Sequence, residues 1–193
     1  ASKLDKQPAD LTISIGRDSR ISGPALTAAV IEGMTSLGCR VYDFAMASTP
    51  AMFMSTVNPD FACDGAIMMT ASHLPFNRNG MKFFTQQGGV DKQDIASILQ
   101  LAEQDSFQPS TAPGALEAHD FISIYAQRLV QQIRQSVNHP QHYDQPLQGL
   151  NIVVDAGNGA GGFYAEKVLQ PLGANTTGSQ YLEPDGHFPN HVP

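Results

Sequence analysis

Three short apolar runs, at residues 11–15, 41–45 and 65–69, alternate with two stretches of helical periodicity, and no other feature constrains the fold as strongly. Strand, helix, strand, helix, strand is the pattern of a mostly parallel sheet covered by helices, because parallel neighbours need a long crossover between them. The first run enters the polar turn Gly16-Arg-Asp-Ser-Arg20. A helix follows, with Ser22 or Gly23 as its cap and Pro24 in its first turn, where a missing N–H costs nothing. Leu26, Ala29, Val30, Gly33, Met34 and Leu37 recur at helical spacing as its expected apolar face, and Gly38 closes it. Thr49-Pro-Ala opens a second helix that runs to Val57 and ends at Asn58-Pro59. Residues 81–84 are another short apolar run. Helices are expected over 92–103 and 116–137, the latter with Ile122, Tyr125, Leu129, Ile133 and Val137 on one face.

Residues 138–149 hold turn formers without periodicity and read as a linker. A new strand at 151–155 then enters Gly157-Asn-Gly-Ala-Gly-Gly162, followed by a helix with Ala165, Val168, Leu169 and Leu172 inward and a strand near 175–182. One strand–helix–strand unit leaves a sheet edge and face uncovered. The expected fold class is therefore α/β. Residues 1–137 form a three-layer α/β/α domain with a mixed, mostly parallel sheet and a truncated start. Residues 150–193 form the first part of a second, similar domain, and the chain reads as an excerpt of a larger protein.

Composition narrows the function. A formal charge of −7 argues against general nucleic-acid or anionic-membrane binding, although local charge still decides whether an anionic small substrate is accepted. No apolar stretch approaches the ~20 residues of a membrane span. Cys39 and Cys63 both sit beside apolar runs and read as buried, reduced thiols of a reducing compartment. A cytoplasmic protein is expected, or a plastid one if a transit peptide precedes this sequence. Oligomeric state has no signature here.

The chemistry concentrates in Thr70-Ala-Ser-His-Leu-Pro-Phe-Asn-Arg-Asn-Gly-Met-Lys82, which lies between two apolar runs and contains no acid. A loop serine is ordinarily a turn former. A hydroxyl on a tight loop in a locally positive patch also suits a phosphoester, whose charge of roughly −1.5 to −2 needs cations and N–H groups around it. Ser72 is that hydroxyl. His73 beside it is badly placed as its base, because neighbouring side chains in extended backbone point to opposite sides, and the chain has no Gly-x-Ser-x-Gly elbow. Lys82, in an otherwise apolar strand just after Asn79-Gly80, is a candidate inward cation, whereas Arg78 reads as surface charge.

This run closely resembles the Thr-Ala-Ser-His-Asn-Pro…Asn-Gly…Lys signature of the α-D-phosphohexomutases, the phosphoglucomutase, phosphomannomutase and phosphoglucosamine mutase family. Gly16-Arg-Asp-Ser-Arg20, Val154-Asp-Ala-Gly-Asn-Gly159 and Glu183-Pro-Asp-Gly-His-Phe-Pro-Asn-His191 resemble three further family words in family order. The resemblance covers the N-terminal portion of such an enzyme. It implies interconversion of hexose 1- and 6-phosphates through a phosphoserine at Ser72 and a sugar bisphosphate. Lys82 would help to move the proton of the sugar hydroxyl. Arg17, Arg20, His73 and Asn79 would contact phosphate or brace the serine loop. The cofactor implied is Mg²⁺, bound to Ser72 through its phosphate, with the remaining ligands in an Asp-Gly-Asp-Gly-Asp-Arg loop that is absent from this sequence. Without that loop, the chain alone is expected to be inactive. The family commonly has Asn where Leu74 stands, which removes a polar side chain beside the loop.

Gly157-x-Gly159-x-x-Gly162 also matches the dinucleotide fingerprint, with Glu183 near the expected distance, so an oxidoreductase fragment stays open. Against it, Asp155 puts a carboxylate where pyrophosphate would sit. A non-catalytic regulatory homologue is the other alternative. His187-x-x-x-His191 and His139-x-x-His142 lie in Pro/Asn-rich loops and read as exposed histidines, not metal ligands.

Overall fold

The structure is a computed structural model and describes residues 2–191. Its centre is one six-stranded sheet. The strands are β1 (Thr12–Arg17), β2 (Arg40–Met46), β3 (Gly65–Met69), β4 (Met81–Thr85), β5 (Gly88–Gly89) and β6 (Leu116–Ala118), in the spatial order β5-β4-β3-β1-β2-β6. The β1, β2, β3 and β6 pairings are parallel, and β4 and β5 add an antiparallel edge. Helices α1 (Gly23–Ser36) and α2 (Thr49–Val57) are the crossovers, α3 (Lys92–Gln104) follows the antiparallel edge, and α4 (Phe121–Val137) ends this part of the chain.

β3 shows why the sheet has helices on both faces. All five of its residues are buried. Ala66 and Met68 pack with Phe44, Met52, Phe121 and Tyr125 on the α2/α4 side. Ile67 and Met69 pack with Ile15, Val41 and Ile31 on the α1 side. Such a strand has no polar face to alternate with its apolar one. The helices start as local chemistry dictates. Ser48 accepts a hydrogen bond from the Ala51 N–H at the start of α2, and Asp91 and Asp94 form a reciprocal capping box on α3.

Two expectations for the helices of residues 1–137 needed correction. The buried stripe of α1 is Gly23, Thr27 and Ile31, with Val30 and Met34 half-buried, while Leu26 and Ala29 face solvent. The helix is rotated because its first turn lies against β1, where a Cβ on Gly23 would sit 3.3 Å from Arg17 Cδ. The expected helix over 116–137 begins later. Leu116–Ala118 instead pair with residues 41–43 as β6, and Asp120 caps α4 by accepting from the Ser123 N–H at 3.1 Å. Burial in α4 falls on Phe121, Ile122, Tyr125, Ala126 and Val130, and Val137 is exposed.

After Asn138, which ends α4 in the left-handed conformation, the chain runs without regular structure to residue 150. The expected strand at 151–155 runs parallel to residues 175–180 through bridges only, Asn151 to Asn175 and Asp155 to Gln180. Those offsets differ by one residue, so a bulge interrupts the ladder, and the Ser179 hydroxyl accepts from the Val154 N–H in place of a carbonyl. The expected helix is a π-helical segment, Tyr164–Leu169, tightening into the 3₁₀ turn Gln170–Leu172. Its Val168 and Leu172 pack with Ala126 and Val130 of α4. α4 is thus the wedge that joins the sheet to the second unit.

Candidate active site

β1 and β3 are parallel neighbours, with Arg17 paired to Met69, so the turn after one and the loop after the other emerge side by side. Ligand sites of open α/β sheets gather at these carboxyl ends. The Asp18 N–H donates to the Met69 carbonyl (3.1 Å), and the Thr70 N–H donates to the Gly80 carbonyl (2.9 Å), closing the base of the loop at residues 70–80.

The loop is held from within by Arg20, which is 1% exposed. Its Nη1 donates to the carbonyls of Pro75 (2.6 Å) and Arg78 (3.1 Å), and its Nη2 to those of Ser72 (2.7 Å) and Leu74 (2.8 Å). Nε donates to Asp18 Oδ2 at 3.1 Å. A guanidinium suits this place because its planar fork carries five N–H donors, and a buried charge must be both paired and hydrogen-bonded. The same Asp18 oxygen accepts from the Thr70 hydroxyl (2.7 Å), and that hydroxyl accepts from the Ser72 N–H (3.0 Å). Asp18, Thr70 and Arg20 therefore grip Ser72 from both sides of its peptide unit.

Ser72 itself is exposed and has φ +54, in the left-handed region that costs an L-residue about 1–2 kcal/mol. Such strain persists only where the surroundings over-determine it, and the Arg20 clasp does so here. Arg17, half-buried at the end of β1, makes no side-chain hydrogen bond or ion pair among the described residues, so its guanidinium is available to an anion. Asn79 ties the loop to the start of α1, donating to the Ser22 hydroxyl at 3.1 Å, and its Oδ1 accepts from the Gly80 N–H. Lys82, expected to point inward, is instead exposed on β4 opposite Met68, one pair in from the strand end. His73, Leu74 and Arg78 are exposed.

The second unit closes over this end of the sheet. Ser72 and Asp18 share a cleft of about 290 Å³ with Asp155, Gly157, Phe188 and His191. Asp155 Oδ1 accepts from the Gly157 N–H (2.9 Å) and pairs with His191 Nε2 (3.0 Å), while Oδ2 accepts from Gln180 (3.0 Å). These bonds, His191 first, hold its carboxyl below the usual range. The glycines of the dinucleotide-like word have packing reasons. Gly157 has φ +52, and a Cβ on Gly162 would lie 2.0 Å from the Leu182 carbonyl oxygen. The Gly157 amide that a pyrophosphate would need is taken by Asp155.

Sequence reasoning missed how the words fit together. Asn158 is the hub of the second unit: its N–H donates to the Tyr181 carbonyl and its carbonyl accepts from Asp185. Its side chain joins the Glu183 carbonyl to Asn190. Phe188 lies over the Arg20 guanidinium, 5.3 Å from the ring centroid. The two words lie far apart in the sequence, and nothing in their spacing says that one covers the other. Among the described residues no group of three or more His, Cys, Asp or Glu side chains could hold a metal ion. The described side chains therefore do not make a Mg²⁺ cage by themselves.

Two family models match in sequence order. One is the phosphoglucomutase/phosphomannomutase alpha/beta/alpha domain I over residues 1–109, the other alpha/beta/alpha domain II over residues 124–193. The chain belongs to the phosphoglucomutase/phosphomannomutase family. Relatives in this family include the phosphoglucomutase of Neisseria gonorrhoeae, 33% identical over 182 residues, covering 94% of this chain and 36% of that protein. The phosphoglucomutase/phosphomannomutase of Thermococcus kodakarensis is 33% identical over 184 residues, covering 94% and 38%. A solved structure of a phosphoglucomutase/phosphomannomutase family protein from Burkholderia thailandensis superposes with a TM-score of 0.77 at 26% identity, covering 94% of this chain and 38% of that one. The chain thus spans little more than a third of the length of these relatives.

Proposed function

We propose that this chain carries the phosphoserine of a hexose phosphate mutase, and that Ser72 is the residue that gives and takes the phosphoryl group. The observation that carries the reading is the placement of Ser72. It is an exposed hydroxyl in a strained conformation at the carboxyl end of a parallel sheet, on a loop anchored by a buried arginine, with Arg17, unpaired among the described residues, beside that loop's base. A phosphoryl acceptor must be reachable by substrate yet fixed in direction, since transfer depends on in-line alignment.

In the forward step, the bond from phosphorus to Ser72 Oγ breaks as a bond to a free hydroxyl of a sugar 1- or 6-phosphate forms. The hydroxyl loses its proton, and the serine oxygen ends protonated. The product is a sugar bisphosphate, which turns round and returns its other phosphoryl group to Ser72. Lys82 assists the proton movement, Arg17 offsets phosphate charge, and Arg20 holds the loop. Residues 1–137 are proposed as the phosphoserine domain, 138–149 as a linker and 150–193 as part of a second domain. Mg²⁺, held through the phosphate of Ser72, would supply charge neutralisation for the phosphoryl group. Among the described residues, no helix is long and apolar enough to cross a membrane.

The test is a mutase assay on the protein that contains this chain, with glucose 1-phosphate or mannose 1-phosphate and a trace of the bisphosphate. Ser72→Ala should abolish turnover. Wild-type turnover by a folded Ser72→Ala protein would sink the assignment.

A further inference from the structure

We infer that the segment at residues 183–191 is a positioning strap for the serine loop, acting through Phe188 on Arg20. Four observations converge on it. The Phe188 ring covers the guanidinium at 5.3 Å, within cation–π range, on a cation that is 1% exposed. Gly186 is packed so closely on the 16–20 turn that a Cβ there would stand 2.4 Å from the Ser19 carbonyl oxygen and 2.7 Å from the Ile21 nitrogen. Phe188 itself has φ +49, a strained conformation for a bulky residue that must be held in place by its contacts. Finally, His187 meets Phe76 of the serine loop, ring centroids 6.5 Å apart, so the strap touches both the clasp and the loop it holds.

The physical role follows from what Arg20 does. Its hydrogen bonds to four carbonyls compete with water, and each is worth more in a dry, low-dielectric setting. Phe188 contributes to that setting by covering the guanidinium at 5.3 Å, and the negative face of its ring favours the cation. Because the strap belongs to the second unit and Ser72 to the first, seating of the strap couples the two units to the direction in which Ser72 points. Asn158 sets the strap's height through Glu183, Asp185 and Asn190. The consequence for phosphoryl transfer rests on the reading above. The contact itself does not, so loop protection is read independently of phosphorylation and turnover.

The experiment is limited trypsin digestion and amide hydrogen exchange of the full 193-residue chain, read peptide by peptide. The Arg78 carbonyl, which trypsin must attack, is itself an Arg20 acceptor at 3.1 Å, so cleavage after Arg78 reports release of the clasp. Phe188→Leu, which keeps the bulk and loses the ring, should speed both that cleavage and exchange of the Ser72 and Leu74 amides by about tenfold, the scale of a desolvated cation–π contact. Phe188→Tyr should restore wild-type protection. Gly186→Ala should reproduce the effect by lifting the strap. In an Arg20→Lys background, Phe188→Leu should add little. Unchanged protection in Phe188→Leu would overturn the inference. So would an equal effect in the Arg20→Lys background, or faster exchange spread evenly through β1 and β3, which would mark general destabilisation.

Discussion

Arg20 Nη2 donates to the Ser72 carbonyl at 2.7 Å, and this bond joins the polar turn after β1 to the only strained residue of the serine loop. The side chain cannot be shortened without stranding carbonyls. Arg20→Lys keeps the charge but offers three donors on a point-like head in place of a planar fork. We expect a loss of about 2–4 kcal/mol, the scale of a broken buried charged network. Urea unfolding would measure it, and a loss within the error of a surface substitution would contradict the clasp.

The backbone of Ser72 makes a prediction that separates fold from chemistry. At φ +54 a glycine is at ease and an alanine is not. Ser72→Gly should therefore be more stable than Ser72→Ala by about 1 kcal/mol, although both lack the hydroxyl. Equal urea midpoints for the two would mean the loop relaxes to a different conformation.

Lys82→Met, in the protein that contains this chain, should lower mutase turnover by about 10²–10⁴, the scale of a lost acid/base group. Apparent substrate binding should change less, because the contact is made chiefly in the transition state. Wild-type turnover would return Lys82 to the role of an exposed surface cation.

How far this could be read from the chain depended on the distance between the groups concerned. β1, β2, β3 and α2 were legible because each is specified by its own run: a short apolar stretch for each strand, a Thr-Pro start and an Asn-Pro stop for α2. β6 was not, since Leu116-Glu-Ala118 has no strand signature and owes its conformation to the open edge of β2 at residues 41–43. The face of α1 was misread because Gly23 and Thr27 are buried for closeness of approach, which hydrophobicity does not encode. At the site, Ser72, Arg20 and Asp155 could be singled out as residue types in meaningful turns. Their partners could not: the carbonyls of residues 72, 74, 75 and 78 around one guanidinium, or Phe188 above it, are long-range geometry that no local spacing predicts.

Asp155 should titrate below its ordinary value of 3.8, held down first by His191, then by Gln180 and the Gly157 amide. A carboxylate depressed in the folded state adds stability above its unfolded pKa. That contribution is lost as pH falls through the lower, folded value. Carboxyl-carbon NMR would follow the midpoint, and His191→Asn should raise it towards 3.8. A wild-type midpoint above 3.8 would mean that these partners are not engaged.

The glycine word of the second unit gives an outcome that differs between the mutase and dinucleotide readings. Gly162→Ala should destabilise the chain by about 1–3 kcal/mol through overpacking against Leu182. The wild-type chain should show no saturable binding of a nicotinamide nucleotide. Saturable binding, abolished by a substitution at Gly157, would revive the oxidoreductase reading.

The central claim is tested most directly by phosphopeptide mass spectrometry of the protein containing this chain, before and after incubation with glucose 1,6-bisphosphate. The account predicts phosphate on Ser72, its stoichiometry rising with the bisphosphate and falling when glucose 1-phosphate is added alone. A Ser72 that stays unmodified while mutase turnover proceeds, or phosphate confined to other serines, would contradict it.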